Sequence, residues 1–186
     1  MQLDPRILDK LNEHFNEKLN GSKRLRPSMG LSVKADQSRA PMHGAAKTFV
    51  RDDGGRAKAG FTPADVADSL CRSLAIVTRR DYAEVHQEIN AWARDQGIRR
   101  RSPAEGGLYI EEHKEFLKQS GLVWVPTMQI GKGCEIHLRK EELPRGRLVV
   151  RISKRWTAAV NGMVHDTHDP SREGTRCVYG YYKLPA

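Results

Sequence analysis

No run of apolar residues in this chain approaches the roughly 20 needed to cross a bilayer, and its first ten residues, MQLDPRILDK, hold no secretory hydrophobic core. A membrane partner is therefore not expected. Cysteine is scarce: Cys71, Cys134 and Cys177 are odd in number and lack metal-site spacing. That predicts a reducing compartment, no disulfide framework and no metal or other cofactor. Internal repeats and low-complexity tracts are also missing. The 186 residues, 38% of them hydrophobic, suit one domain with a real core plus a tail.

What the chain has in excess is positive charge. Thirty-two Lys and Arg against 23 Asp and Glu give a net charge of +9. Such a balance favours acidic partners of any kind, nucleic acid and acidic proteins alike, and names none of them. The densest basic run, Arg99-Arg100-Arg101, has no alternating aromatic platform beside it, so a solvated loop is its default reading and a phosphate contact the alternative.

The stretch from Gly146 to Tyr182 organises the rest. Leu148, Val149, Val150 and Ile152 form one apolar run; Trp156, Ala158, Ala159 and Val160 form a second. Asn161-Gly162 follows, then Met163-Val164-His165-Asp166. An Asn-Gly pair between such runs is a hairpin signal, because both turn residues must accept positive φ. Asp166, Asp169 and Pro170 break the strand, and Cys177-Val178-Tyr179 starts another. An antiparallel sheet is expected, with the polar residues His165, Asp166, His168 and Asp169 at one end, facing a residue from an earlier helix. A metal there would need further ligands, since His165 and Asp166 point to opposite sides of a strand.

Upstream, Ile7, Leu8, Leu11, Phe15 and Leu19 recur at helical spacing and predict an amphipathic N-terminal helix. It packs on its own domain or docks a partner. Residues 22–60 are rich in Gly, Ser, Pro and basic residues and predict an irregular connection, so the division expected is 1–60 and 61–186. Thr62-Pro63 with Asp65 predicts a helix start, with Val66, Leu70, Leu74 and Val77 inward. Asp81 opens a second helix that Gly97 ends, and Tyr109–Gln119 forms a third with Phe116 and Leu117 inward. Val123–Pro126 and Cys134–Leu138 then read as strands. Helices followed by an antiparallel sheet define an α+β arrangement.

Three stretches carry a family resemblance: Asp68-Ser69-Leu70-Cys71-Arg72-Ser73-Leu74-Ala75-Ile76 with Tyr82-Ala83-Glu84-Val85; Pro126-Thr127-Met128-Gln129-Ile130-Gly131 through Cys134, His137-Leu138-Arg139 and Glu142-Leu143-Pro144; and Gly146-Arg147-Leu148-Val149 through His165-Asp166-Thr167-His168-Asp169 to Tyr182. Over roughly residues 61–183 the chain resembles a bacteriophage-encoded family related to papain-like cysteine peptidases. The resemblance implies a Cys after the Asp at the head of the first helix, a His early on the second strand of the hairpin pair, and an Asp or Asn nearby. A helix N-terminus lowers a thiol pKa, an imidazole shares the proton, and the third group fixes its tautomer.

Both key positions are changed here. Alignment on Arg72-Ser73-Leu74-Ala75 puts Ser69 where the family has Cys. Alignment on Thr157 and Gly162 puts Arg155 where it has His. Asp166 keeps the third role. Arg cannot deprotonate a hydroxyl near neutral pH, its pKa being above about 12. The Thr62-Pro63 start would moreover bury Ser69 two turns into the helix, away from the dipole. A rebuilt site would use Cys71, about 200° round the helix from Ser69, with His165 or His168 as base; an inert buried Cys71 is the other reading. The expectation is thus a papain-like scaffold without peptidase chemistry, a phage protein that binds and modulates a host bacterial protein in the host cytoplasm. The alternatives are a Cys71-dependent peptidase or acyltransferase and a basic nucleic-acid binder.

Overall fold

The computed structural model describes residues 48–61, 67–129 and 131–185. The N-terminal amphipathic helix expected at 6–19, the connection up to residue 47 and the Thr62-Pro63 start lie outside them. The fold of the described residues is α+β: three α-helices and a six-stranded sheet. No helix among the described residues is long and apolar enough to cross a membrane.

Strand β1 (Phe49–Arg51) comes first, then helices α1 (Ser69–Thr78), α2 (Tyr82–Asp95) and α3 (Ile110–Gln119). Strands β2 (Val123–Pro126), β3 (Met128–Gln129) and β4 (Gly133–Cys134) follow, and then β5 (Arg147–Ile152), β6 (Arg155–Val160), β7 (Met163–Asp166) and β8 (Val178–Lys183). The main sheet runs β1-β7-β6-β5-β8-β2, with β3 and β4 a separate two-stranded ribbon. All its pairings are antiparallel except β1 with β7.

The β6–β7 hairpin is closed by Asn161 (φ 52°) and Gly162 (φ 82°), with Val160 opposite Met163. Both positive φ values match the turn whose twist suits the flanking strands. β5 sits in the middle of the sheet, and its apolar run, interrupted only by Arg151, follows from burial on both faces. Val149, with Trp156, Ala158 and Tyr182, packs under Leu74, Val85, Ile89 and Phe116 of the helices. Leu148, Val150 and Ile152 join Leu138, Leu143, Val164 and Val178 in a second cluster.

α1 begins at Ser69, and Ala67 and Asp68 are not helical, so the expectation that Ser69 lies inside a helix running on from upstream is corrected. Asp68 precedes the helix without capping it, because its carboxylate is engaged by side chains instead. At the other end, Arg147 donates Nε to the Val77 carbonyl at 2.7 Å and Nη2 to that of Ile76. A cation on the free carbonyls of a helix C-terminus is favourable. α2 opens on Asp81, which accepts the Ala83 amide at 2.8 Å, as its sequence predicts.

Two further expectations need correction. Residues 48–60 are not a loose connection: β1 lies parallel to β7, so the compact unit reaches upstream of residue 61. The following turn is built by Asp52 and Asp53, whose carboxylates accept the amides of Gly54 and Gly55 at 2.9 and 3.0 Å. Gly54 (φ 67°) is required there, since a Cβ would lie 2.8 Å from the Arg72 carbonyl oxygen. Second, Cys134 and Cys177 form a disulfide, with Cα atoms 5.7 Å apart. The stretch after Cys134 is not the strand expected up to Leu138; it meets the segment before β8 through a single bridge, His137 to Cys177.

Candidate binding cleft

A buried ionic clasp joins the head of α1 to the sheet. Asp68 is 1% exposed and receives Arg72 Nε at 2.8 Å and the Tyr82 hydroxyl at 3.0 Å, with Arg56 Nε at 3.4 Å. Arg72 spends its other end on Asp166, Nη1 to Oδ1 at 2.6 Å. Asp166, 2% exposed at the close of β7, also takes Arg155 Nη2 on both oxygens at 3.0 Å and the Thr167 amide at 2.8 Å. Burial opposes the Arg72 charge, but the bonds to Asp68 and Asp166 outweigh it and leave its pKa raised. Burial, and then Cys71 and Asp68, push the Tyr82 phenol up, so Tyr82 remains the donor. Charges this deep persist because each is paired and hydrogen-bonded.

Above the clasp lies a cleft of about 1130 Å³. Ser69 lines it from the first position of α1, and Arg155 from the first position of β6. The Ser69 Oγ accepts the Trp156 amide at 3.2 Å. Among the described residues no imidazole bonds to that hydroxyl. Arg155 Nη1 instead contacts Nε2 of the exposed His168. Ser69, Arg155 and Asp166 thus come together in space, at the end of the sheet where the sequence placed its polar cluster. Ser69 does not sit two turns inside its helix; it heads it.

The remaining candidates disperse. His165 leaves this group and pairs with Asp52, Nδ1 to Oδ2 at 3.0 Å. Cys71 is fully buried under α2, its thiol 3.9 Å from the Tyr82 carbonyl, and lines no part of the cleft. Burial pushes that thiol up to about 12. Proximity to a helix N-terminus normally favours a thiolate, and here desolvation overrides it. The expectation that Cys71 meets His165 or His168 is therefore corrected. Native, non-reduced protein should give no iodoacetamide adduct at Cys71 and one per chain once unfolded in guanidinium. Rapid native labelling would contradict this burial. Among the described residues no group of three or more His, Cys, Asp or Glu is placed to hold a metal.

Sequence reasoning missed His113 altogether. It lines the cleft from α3 and accepts the Trp156 indole N–H on Nδ1 at 3.0 Å. Burial first, and then the Arg151 charge, lower its pKa from 6.5 to about 4. The sign follows from linkage. Between those values the unfolded chain binds the proton and the folded one does not, so His113's contribution is complete above the unfolded value and falls as pH drops towards 4. The loss expected is about 3 kcal/mol, and a His113→Gln variant should flatten the urea-midpoint profile between pH 6.5 and 4. An unchanged slope would remove His113 from the account.

The signal for one half of the clasp was present in sequence. Asp68 and Arg72 stand four apart, a spacing that pairs opposite charges on one helix face, and Arg72 interrupts an apolar run. Compared with known proteins, the chain matches no family model, no curated protein and no solved structure.

Proposed function

We propose that this chain is a non-catalytic binding protein on a papain-like scaffold, a phage protein that engages and modulates a host bacterial protein. One observation carries the reading: where a general base would have to stand beside Ser69, Arg155 is forked onto Asp166. A guanidinium holds its proton throughout the physiological range and cannot activate a hydroxyl. The hydroxyl is tied to a backbone amide instead. Nucleophile, base and orienting carboxylate in one cleft would be a hydrolase; hydroxyl, guanidinium and carboxylate in the same places hold a shape and a charge.

The Cys71 mechanism has no accessible thiolate to start from. The nucleic-acid alternative loses part of its basic run: Arg100 donates Nε to the Gly107 carbonyl at 2.6 Å, pairs with Glu112 and stacks 4.2 Å over Tyr109.

Two measurements test the proposal. Fluorogenic peptide and thioester substrates should show no turnover that differs between the protein and its Ser69→Ala variant. Tagged protein should retain the same specific protein from nuclease-treated bacterial lysate with or without the Ser69→Ala substitution. Turnover lost on Ser69→Ala would overturn the reading, as would the absence of any specific protein. The host cytoplasm, as the setting, implies that the Cys134–Cys177 pair is reduced there, whereas the bonded pair suits an oxidising one. A free-thiol count on protein trapped in acid from infected cells decides between them.

A further inference from the structure

We propose that the cleft takes a carboxylate-rich segment of a partner protein, its acidic side chains received by Arg151, Lys154 and Arg155 on the β5–β6 hairpin. This rests on the binding reading above and adds the partner's chemistry. Six basic side chains line the cleft against three acidic ones, but they are not equivalent. Arg72 and Arg56 lean on the buried Asp68. Arg155 is held by Asp166 along one edge, and its buried Nε has no hydrogen-bond partner among the described residues.

Arg151 and Lys154 differ from these. Among the described residues neither has a carboxylate within ion-pair distance. Arg151 is half-buried, gives Nη1 to the carbonyls of Ile152 at 2.6 Å and Arg155 at 3.3 Å, and lies against the rings of Trp156 and Tyr179, 5.4 and 5.9 Å from their centroids. A guanidinium oriented by two carbonyls and two rings is preorganised, and it already carries part of its desolvation cost. An incoming carboxylate meets it with a short, charge-assisted bond and little ordering penalty. Lys154 is exposed in the two-residue turn at φ 65°, which places its ammonium beside the same opening. Tyr109, 68% exposed and braced by Arg100, stands on the facing rim as a rigid aromatic of the kind that anchors interfaces.

The wall that follows β1 favours a polypeptide over nucleic acid. Asp52 and Asp53 line it beside Arg51 and Arg56, so charge of both signs stands there. A phosphodiester chain carries a negative charge at every residue and would meet that wall, whereas a peptide can place acids on one side and neutral or basic groups on the other. One exposed tyrosine is also no stacking platform for successive bases.

The test is fluorescence anisotropy on the full chain with three labelled probes: octaglutamate, octaglutamine and an eight-nucleotide single-stranded DNA. Octaglutamate should bind saturably, octaglutamine should not, and the DNA should bind more weakly than octaglutamate. Lys154→Glu, a surface change that should leave the melting temperature in place, should weaken octaglutamate at least tenfold. Arg151→Gln should do the same, with its fold checked by circular dichroism. No octaglutamate binding, binding indifferent to Lys154→Glu, or DNA binding that is tighter and equally sensitive to Lys154→Glu would each overturn the proposal. A bacterial protein still retained by Lys154→Glu would overturn it too while leaving the non-catalytic binding reading intact; turnover lost on Ser69→Ala would remove that reading instead.

Discussion

Asp166→Ala should cost about 3–5 kcal/mol, a large share of the roughly 5–15 kcal/mol by which domains of this size are stable. The reason is not the net worth of the ion pairs, which burial makes small. It is what the substitution leaves behind. Arg72 has a side chain only 7% exposed, and its Nη1 would lose the carboxylate that compensates it. Arg155, 21% exposed, can swing to water and suffers less. Asp166→Asn keeps the shape and the Thr167 contact but removes the charge, so it should fall between. A double-mutant cycle separates the two partners. Asp166→Ala with Arg155→Ala should still be strongly destabilised, and Asp166→Leu with Arg72→Met should recover only part of the loss, because the buried Asp68 then loses its Arg72 bond and keeps only Tyr82 and Arg56. Urea unfolding followed by tryptophan fluorescence reads all of them. A loss under about 1 kcal/mol for Asp166→Ala would mean that water reaches the clasp and screens it.

The clasp also bears on how much of this molecule was legible beforehand. Local rules worked where local geometry decides. Asn161-Gly162 had to be a turn because two successive positive φ values admit few other residues, and Leu148 to Ile152 read as a buried strand because Leu148, Val150 and Ile152 make one face wholly apolar and only Arg151 interrupts the other. They failed where a distant partner decides. Local rules put Ser69 two turns inside a helix, yet it heads α1, where Asp68 is drawn from capping by Arg72 and Tyr82. β1 was unreadable for the same reason: three residues have no periodicity, and the partner that makes them a strand is β7, more than a hundred positions away. The cleft was half visible. Ser69, Arg155 and Asp166 could be grouped by resemblance alone, and the expectation that an earlier helix faces the polar end of the sheet identified a real meeting point. That the helix residue is Arg72, 94 positions from Asp166, lay beyond any pattern in the chain. His113 had no signal at all, because a lone histidine on an amphipathic helix looks the same whether it faces water or an indole.

Reducing the disulfide should lower stability by roughly 4 kcal/mol, the chain-entropy value for a closed loop of this size; Cys134 and Cys177 are 43 positions apart. For a domain of this length that corresponds to a melting temperature lower by about 8–16 °C. The number depends on how much the loop is already restrained by other means, and here the restraint is unequal. From Arg147 to Asp166 the loop is sheet, held by β5, β6 and β7. From Cys134 to Leu143 it rests on the β3–β4 pairing at Cys134, one isolated bridge, Arg139 Nε on the Gly174 carbonyl at 2.6 Å, the Glu142 carboxylate on the His137 amide at 2.6 Å, and the side chains of Leu138 and Leu143. Loss of the bond should therefore loosen that segment before the sheet. Amide exchange of residues 134–143 should quicken first, while Trp156 and the cleft keep their protection until global unfolding. Cys134→Ser, Cys177→Ser and the double variant should match one another and the dithiothreitol-treated protein, since each breaks the same link. If the double variant melts at the temperature of the oxidised protein, the segment is held by its noncovalent contacts alone. The pair then carries no stability, and the molecule works equally well in the reducing setting that its scarce cysteines first suggested.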